Sequence, residues 1–199
     1  MTPRERRARL FRTSKPFVRP AMLIHEGGFG EDMGILWAAY KAGSFPLMDP
    51  GKDMAAFAKS MIAIAASLHE VAIIEDDNRS FQSGRGPVAI IGIRSDGWRY
   101  EPHIDYFKWA TRRNILRATI QFLQMARYSK EVGVVILRSL KETSSLFMHA
   151  AKDYGVLNFV GRIPHGTARG DEYLFSTMGR KEAPKGAQKE ARADVREAA

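Results

Sequence analysis

The sequence predicts a single α/β domain built on a mixed, mostly antiparallel central sheet flanked by helices. Three observations carry this reading. The hydrophobic period switches repeatedly between two and about 3.6 residues along the chain. The segments so marked follow the order β α α β β β α β α β β, which combines a meander with a helical crossover. With 199 residues, 45% of them hydrophobic, the chain suffices for one core and is short for two.

Taken in order, Phe17 to Ile24 reads as a short strand after Pro16, and Pro20 confines it to an edge or a bulge. Glycines at 27, 28 and 30 break the chain and shape the first loop, without the GxGxxG spacing of a dinucleotide-binding turn. Glu31 or Asp32 can cap a helix through Ala42. Met54 to Leu68 places Phe57, Met61, Ile62, Ile64 and Ala65 on one helical face. Val71 to Glu75 and Val88 to Ile93 are β-rich runs joined by a polar linker, Asp76 to Pro87, and Asp96-Gly97 is a tight-turn signal before a third strand, Trp98 to Phe107.

A long helix should begin near Thr111, because Ile115, Leu116, Thr119, Ile120, Phe122, Leu123 and Ala126 keep a 3.6-residue period. Gly133 ends that segment ahead of a buried strand, Val134 to Leu137, completing a βαβ crossover. Ser144 or Ser145 can cap a helix to Tyr154, Gly155 can end it, and Val156 to Ile163 and Glu172 to Met178 close the sheet. Trp37, Tyr40, Phe57, Phe122 and Phe147 fall at helical spacing and read as core. Ser139, Ser144 and Ser145 lack a nearby histidine or a G-x-S-x-G elbow, so they read as capping residues rather than nucleophiles.

Composition narrows the function classes. The chain has no cysteine, and its five histidines include no pair at metal-ligand spacing, so no metal site is expected. The N-terminus lacks a signal peptide's apolar run and no stretch approaches the roughly 18 apolar residues of a membrane span, so a soluble, cytoplasmic protein without membrane partners is expected. The net charge of +9 is concentrated at the ends: residues 1–20 carry +6, residues 180–199 carry +2, and the body is nearly neutral. The expected organisation is a basic N-terminal arm over 1–16, a domain over 17–179 and a low-complexity charged tail over 180–199. Arg4, Arg6, Arg7, Arg9 and Arg12 of the arm are candidate contacts to nucleic acid or another anionic partner.

Three stretches carry a family resemblance. Phe17-Val18-Arg19-Pro20-Ala21 resembles an "IRPA" first strand, Val71 to Leu137 occupies the place of a central meander and cofactor helix, and Tyr154-Gly155-Val156 through Phe159-Val160-Gly161-Arg162 resembles a "GF…VGR" passage. Together they resemble the GNAT (N-acetyltransferase) superfamily across nearly the whole body. The resemblance implies transfer of an acyl group from acetyl-CoA or another acyl-CoA to an amine-bearing acceptor. In that family the CoA pyrophosphate sits on a Q/R-x-x-G-x-G/A loop at a helix N-terminus, where unsatisfied N–H groups and the positive dipole end favour anions.

The matching stretch assigns cofactor binding to Trp109, Arg112, Arg113, Asn114, Ile115 and Leu116. Starting the motif at Arg112 puts Ile115 and Arg117 where glycines belong, and starting at Arg113 recovers only Ala118. Two readings follow: Arg112, Arg113 and Arg117 supply guanidinium groups to the phosphates, or they are a solvated helix start or a macromolecular contact. For catalysis, period-two alternation puts Glu101, His103 and Asp105 on one strand face as candidate bases, against the plainer reading of a solvent-facing strand side. The family's leaving-group tyrosine lies four residues before the glycine matched by Gly155, where this chain has Ala151; Tyr154 points elsewhere on the helix. The degenerate loop, missing tyrosine and basic arm also resemble divergent phage-encoded members. That alternative implies a non-catalytic, virion-associated or DNA-contacting assembly protein, with virion proteins or nucleic acid as partners.

Overall fold

The computed structural model describes residues 1–12, 15–26, 28–45, 53–77, 81, 84–128, 133–167 and 170–178. Gly27, part of the Asp76–Pro87 linker and the charged tail over 180–199 lie outside them. Two compact units divide the chain. One comprises Ser14–Arg94 and His103–Ala118, the other Met1–Thr13, Ser95–Pro102 and Thr119–Ala199.

The second of these units holds an element missing from the expected order, helix α1 (Pro3–Leu10). Thr2 begins it with a capping box. Its hydroxyl accepts the Glu5 N–H, the Glu5 carboxylate accepts the Thr2 N–H, and Pro3 fills a first position that needs no donor.

In the first unit, β1 (Phe17–Pro20) stops at the proline rather than running to Ile24. The chain then makes a small hairpin of β2 (Ile24–His25) and β3 (Gly28–Phe29) before α2 (Glu31–Lys41). The cap of α2 is Gly30, not Glu31 or Asp32. A side chain could not stand there, since a Cβ on Gly30 would lie 2.0 Å from the Met22 carbonyl oxygen. α3 (Met54–Ala66) is capped by Asp53, whose carboxylate accepts the Ala56 N–H. β4 (Glu70–Asp77) pairs antiparallel with β1 and with β5 (Arg85–Ser95). The register slips where Glu75 meets Pro87, a residue with no N–H to give the ladder. Met33, Leu36, Phe45, Phe57, Ile73 and Phe107 belong to this unit's buried apolar cluster, against which Trp37 and Tyr40 pack.

β6 (Arg99–Tyr106) and α4 (Arg112–Tyr128) each contribute to both units. Asp96-Gly97 turns the chain into β6 as expected, with Gly97 at φ +88° and the Asp96 carboxylate accepting the Trp98 and Arg99 N–H groups. In the second unit β7 (Val134–Leu140) leads directly into α5 (Lys141–Tyr154). That helix starts ahead of the expected Ser144 or Ser145 cap; the Ser144 hydroxyl donates instead to the Lys141 carbonyl, and Leu140 is the cap. Gly155 ends α5 in the left-handed conformation, φ +60°, as its position suggests. β8 (Asn158–Thr167) and β9 (Gly170–Met178) follow, with β9 paired antiparallel to both β7 and β8.

The seven-stranded sheet has the order β1-β4-β5-β6-β7-β9-β8. β6 and β7 run parallel, while β1–β4, β4–β5, β7–β9 and β8–β9 are antiparallel, giving the expected mixed, mostly antiparallel sheet with flanking helices. The parallel ladder covers only Arg99 with Val134 and Tyr100 with Val135, whereas β7 stays paired to β9 as far as Leu140.

Candidate functional site

The chemistry at the start of α4 begins with a local cap. The Thr111 hydroxyl accepts the Asn114 N–H at 3.2 Å, and Asn114 Oδ1 accepts the Thr111 N–H at 3.2 Å and the Thr111 hydroxyl at 2.6 Å. This is a capping box with Asn in the place usually held by Glu or Gln. The amide end of the same side chain turns inward and donates to Asp76 Oδ2 at 3.0 Å and to the Asp77 carbonyl at 2.8 Å. One turn on, Arg117 lies 3.0 Å from Asp76 Oδ1, with side chains 3% and 0% exposed. Residues three apart share a helix face, so Asn114 and Arg117 both reach the end of β4. Sequence reasoning placed Asp76 in a linker and Arg117 among phosphate-binding candidates. The structure makes them a buried pair, which removes Arg117 from the solvent-facing set.

Arg112 and Arg113 occupy the first turn of α4 and are exposed, and that turn has no carboxylate. Trp109, just upstream, donates from Nε1 to the Pro87 carbonyl at 2.7 Å and packs its ring 5.1 Å from Phe107 and 6.1 Å from Phe81. It anchors the approach to the helix. Ile115 and Leu116 are half-buried, and the Ile115 N–H bonds the Thr111 carbonyl at 2.9 Å.

The three carboxylate and imidazole candidates on β6 separate into two groups. Glu101, in one unit, lies 3.5 Å from Arg99, which also reaches Asp96 at 3.2 Å. His103 and Asp105, in the other, face each other with Nε2 to Oδ2 at 3.5 Å. The His103 side chain is 75% exposed. Burial pushes the Asp105 carboxyl above the usual carboxylate range, and His103 pulls it back only in part. Thus one exposed imidazole stands against a partly desolvated carboxylate.

The Phe17–Ala21 stretch places a further charged cluster that the sequence did not disclose as such. Arg19 grips Asp32 with two hydrogen bonds of 2.7 Å and reaches Glu75 from Nε at 2.8 Å, while Asp32 also accepts the Met22 N–H at 2.7 Å. Burial, with Asp32 only 1% exposed, pushes that carboxyl up. The Arg19 and Met22 hydrogen bonds outweigh it and hold the group below its ordinary value. The guanidinium of Arg19 is raised in turn, chiefly by Asp32.

In the other unit, Ala151 and Tyr154 lie on α5 as expected. The Tyr154 ring meets His149 edge-on at 5.3 Å, and its backbone carbonyl accepts from Arg7 of α1. Arg6 pairs with Asp153 at 3.3 Å. Of the five arginines expected to meet an anionic partner, Arg6 and Arg7 are therefore engaged on α5, and Arg4, Arg9 and Arg12 are exposed. Among the described residues, no group of three or more His, Cys, Asp or Glu is arranged to hold a metal ion. No described helix is long and apolar enough to cross a membrane.

No family model matches the chain, and no curated protein matches it. Solved structures do. A spermidine N-acetyltransferase from Vibrio cholerae, determined in complex with CoA and spermine, is 11% identical with a TM-score of 0.58, over 84% of this chain and 97% of that one. An acetyltransferase of the GNAT family from Streptococcus pneumoniae is 14% identical with a TM-score of 0.54, over 83% and 99% of the two chains. A GNAT-family protein of Chromobacterium violaceum is 16% identical with a TM-score of 0.58, over 83% and 88%. At such identities the likeness is one of fold, and the fold is that of the GNAT acyltransferases.

Proposed function

We propose that this chain is an N-acyltransferase that moves an acyl group from an acyl-CoA to an amine-bearing acceptor. The observation that carries the reading is the start of α4 within a GNAT fold: a helix N-terminus with no carboxylate in its first turn and two outward arginines, Arg112 and Arg113. That donor set fits a diphosphate. It differs from a glycine cradle, because the Asn114 and Ile115 N–H groups already have acceptors on Thr111. Guanidinium side chains, which bind phosphate in a fork, take the larger share of recognition. Trp109, Asn114, Ile115 and Leu116 hold the segment that presents them.

An acyl-CoA supplies an activated thioester when bound. The chain's own task is then to take a proton from the acceptor ammonium so that the free amine can attack; the C–N bond forms as the C–S bond breaks, and CoA leaves as a thiolate that is protonated to the thiol. His103 is the candidate base, an exposed imidazole with a ring nitrogen able to take up a proton. Asp105 Oδ2 faces the imidazole Nε2 at 3.5 Å and orients the ring. Glu101, tied to Arg99, is the weaker candidate. An amine acceptor is supported by the similarity to a spermidine N-acetyltransferase. The assembly or DNA-contacting alternative depends on a free basic arm, and two of its five arginines are engaged on α5. Release of CoA thiol on mixing the protein with acetyl-CoA and a panel of polyamines, amino acids and lysine peptides tests the reading. Amine-dependent release is expected, and its absence across acyl donors and acceptors would count against it.

A further inference from the structure

We infer that Asn114 is a positioning residue for the phosphate-binding end of α4, tethered to β4 through Asp76, which deepens the acyl-CoA reading and rests on it for its kinetic consequence. The tether is double. Asn114 Nδ2 donates to the Asp76 carboxylate at 3.0 Å and to the Asp77 carbonyl at 2.8 Å, while Arg117, one turn further, meets the other oxygen of Asp76 at 3.0 Å. Two consecutive residues of β4 thereby hold two residues on one face of α4, which fixes both the rotation of the helix about its axis and its position along it. Thr111 does something separate: its hydroxyl and Asn114 Oδ1 close the helix end without attaching it to the sheet.

The direction of Arg112 and Arg113 follows from the tether. At about 100° per residue, Arg112 lies some 200° from Asn114 around the helix and Arg113 about 100°. With Asn114 and Arg117 pulled inward, Arg112 is turned to the opposite side, and both arginines are exposed. A cation pair whose backbone direction is already fixed loses less freedom when it takes an anion. Asn114 therefore serves as an anchor here, setting the orientation of two guanidinium groups in a stretch that lacks the glycines for close backbone approach.

The test compares two substitutions in the full chain. Asn114→Ala removes the tether together with the Oδ1 share of the cap, and Thr111→Ala removes the hydroxyl share of the cap but leaves both bonds from Asn114 to β4. Loss of two hydrogen bonds to a buried acceptor pair should raise KM for acetyl-CoA about tenfold in Asn114→Ala and less than about threefold in Thr111→Ala, with kcat at saturating acetyl-CoA changed by under about twofold in either. Equal KM effects, or a fall in kcat without a rise in KM, would overturn the positioning role. If the unsubstituted chain turns over no acyl-CoA, the acyltransferase reading fails, and the tether is judged by amide exchange at Ile115. There the tether requires exchange about tenfold faster in Asn114→Ala than in Thr111→Ala. Equal rates would refute it.

Discussion

Asp76 on β4 and Arg117 on α4 meet at 3.0 Å with both side chains almost wholly withdrawn from water. Charges removed from water to this extent are stable only as a pair, because either one left alone keeps its full desolvation cost. Asn114 adds a third, neutral partner to the carboxylate. Asp76→Ala or Arg117→Met alone should destabilise the protein by about 3–5 kcal/mol, and Asp76→Leu combined with Arg117→Met by much less. Denaturant unfolding of the two single variants and the double variant gives the comparison, and purely additive losses would deny the coupling.

The Arg19–Asp32 cluster sets an acid-side stability limit. Asp32 has a folded-state pKa below its unfolded value near 3.9. Its contribution is thus fully present above that value and is lost as pH falls through the lower, folded value. Asp32→Asn should flatten the stability profile below about pH 5 and lower stability at neutral pH. Urea midpoints measured from pH 7 down to pH 3 report this directly.

Asp105 has the opposite sign. Its carboxyl is pushed up by burial, so its ionisation works against the folded state at neutral pH, and protonation relieves it as pH falls. Asp105→Asn is expected to leave neutral-pH stability unchanged or slightly higher while lowering amine acylation. His103→Ala should lower kcat/KM by about 10²-fold or more, as loss of a general base does. A loss of stability in Asp105→Asn, or full activity in His103→Ala, would remove the pair from the mechanism.

Gly30 is a steric requirement, since its missing Cβ would fall 2.0 Å from the Met22 carbonyl oxygen. Gly30→Ala should cost about 2 kcal/mol or more, by pushing the start of α2 away from β1 and loosening the Arg19–Asp32 grip. Gly34→Ala, where nothing lies within 4 Å of the added carbon, is the matched control and should be neutral or slightly stabilising. Thermal melts of the two variants separate them.

The element order was legible because each element's apolar period and its punctuation agree. Gly155 ends α5 and Asp96-Gly97 turns into β6 through local backbone chemistry that a sequence displays. α1 carries no apolar stripe, so its signal in the sequence is the Thr2-Pro3-Arg4-Glu5 capping box alone. The burial of Asp76 and Arg117 is hidden in the sequence for a different reason. A carboxylate after a β-rich run reads as loop and an arginine on a helix as solvated, and only the meeting of distant segments reveals that each is buried by the other. The same holds for Asp32, whose position suggested a cap but whose partner, Arg19, sits across the intervening hairpin. Arg112 and Arg113 lie exposed in the first turn of α4, a placement that helix position alone suggests.

In the proposed function, the α4 end of this GNAT fold takes an acyl-CoA through the side chains of Arg112 and Arg113. Titration calorimetry with acetyl-CoA on the unsubstituted chain and on Arg112→Glu/Arg113→Glu tests it most directly. Saturable binding by the first, abolished in the second while its thermal unfolding is preserved, is the predicted result. No binding of any CoA ester at millimolar concentration, or binding indifferent to the two substitutions, would contradict it.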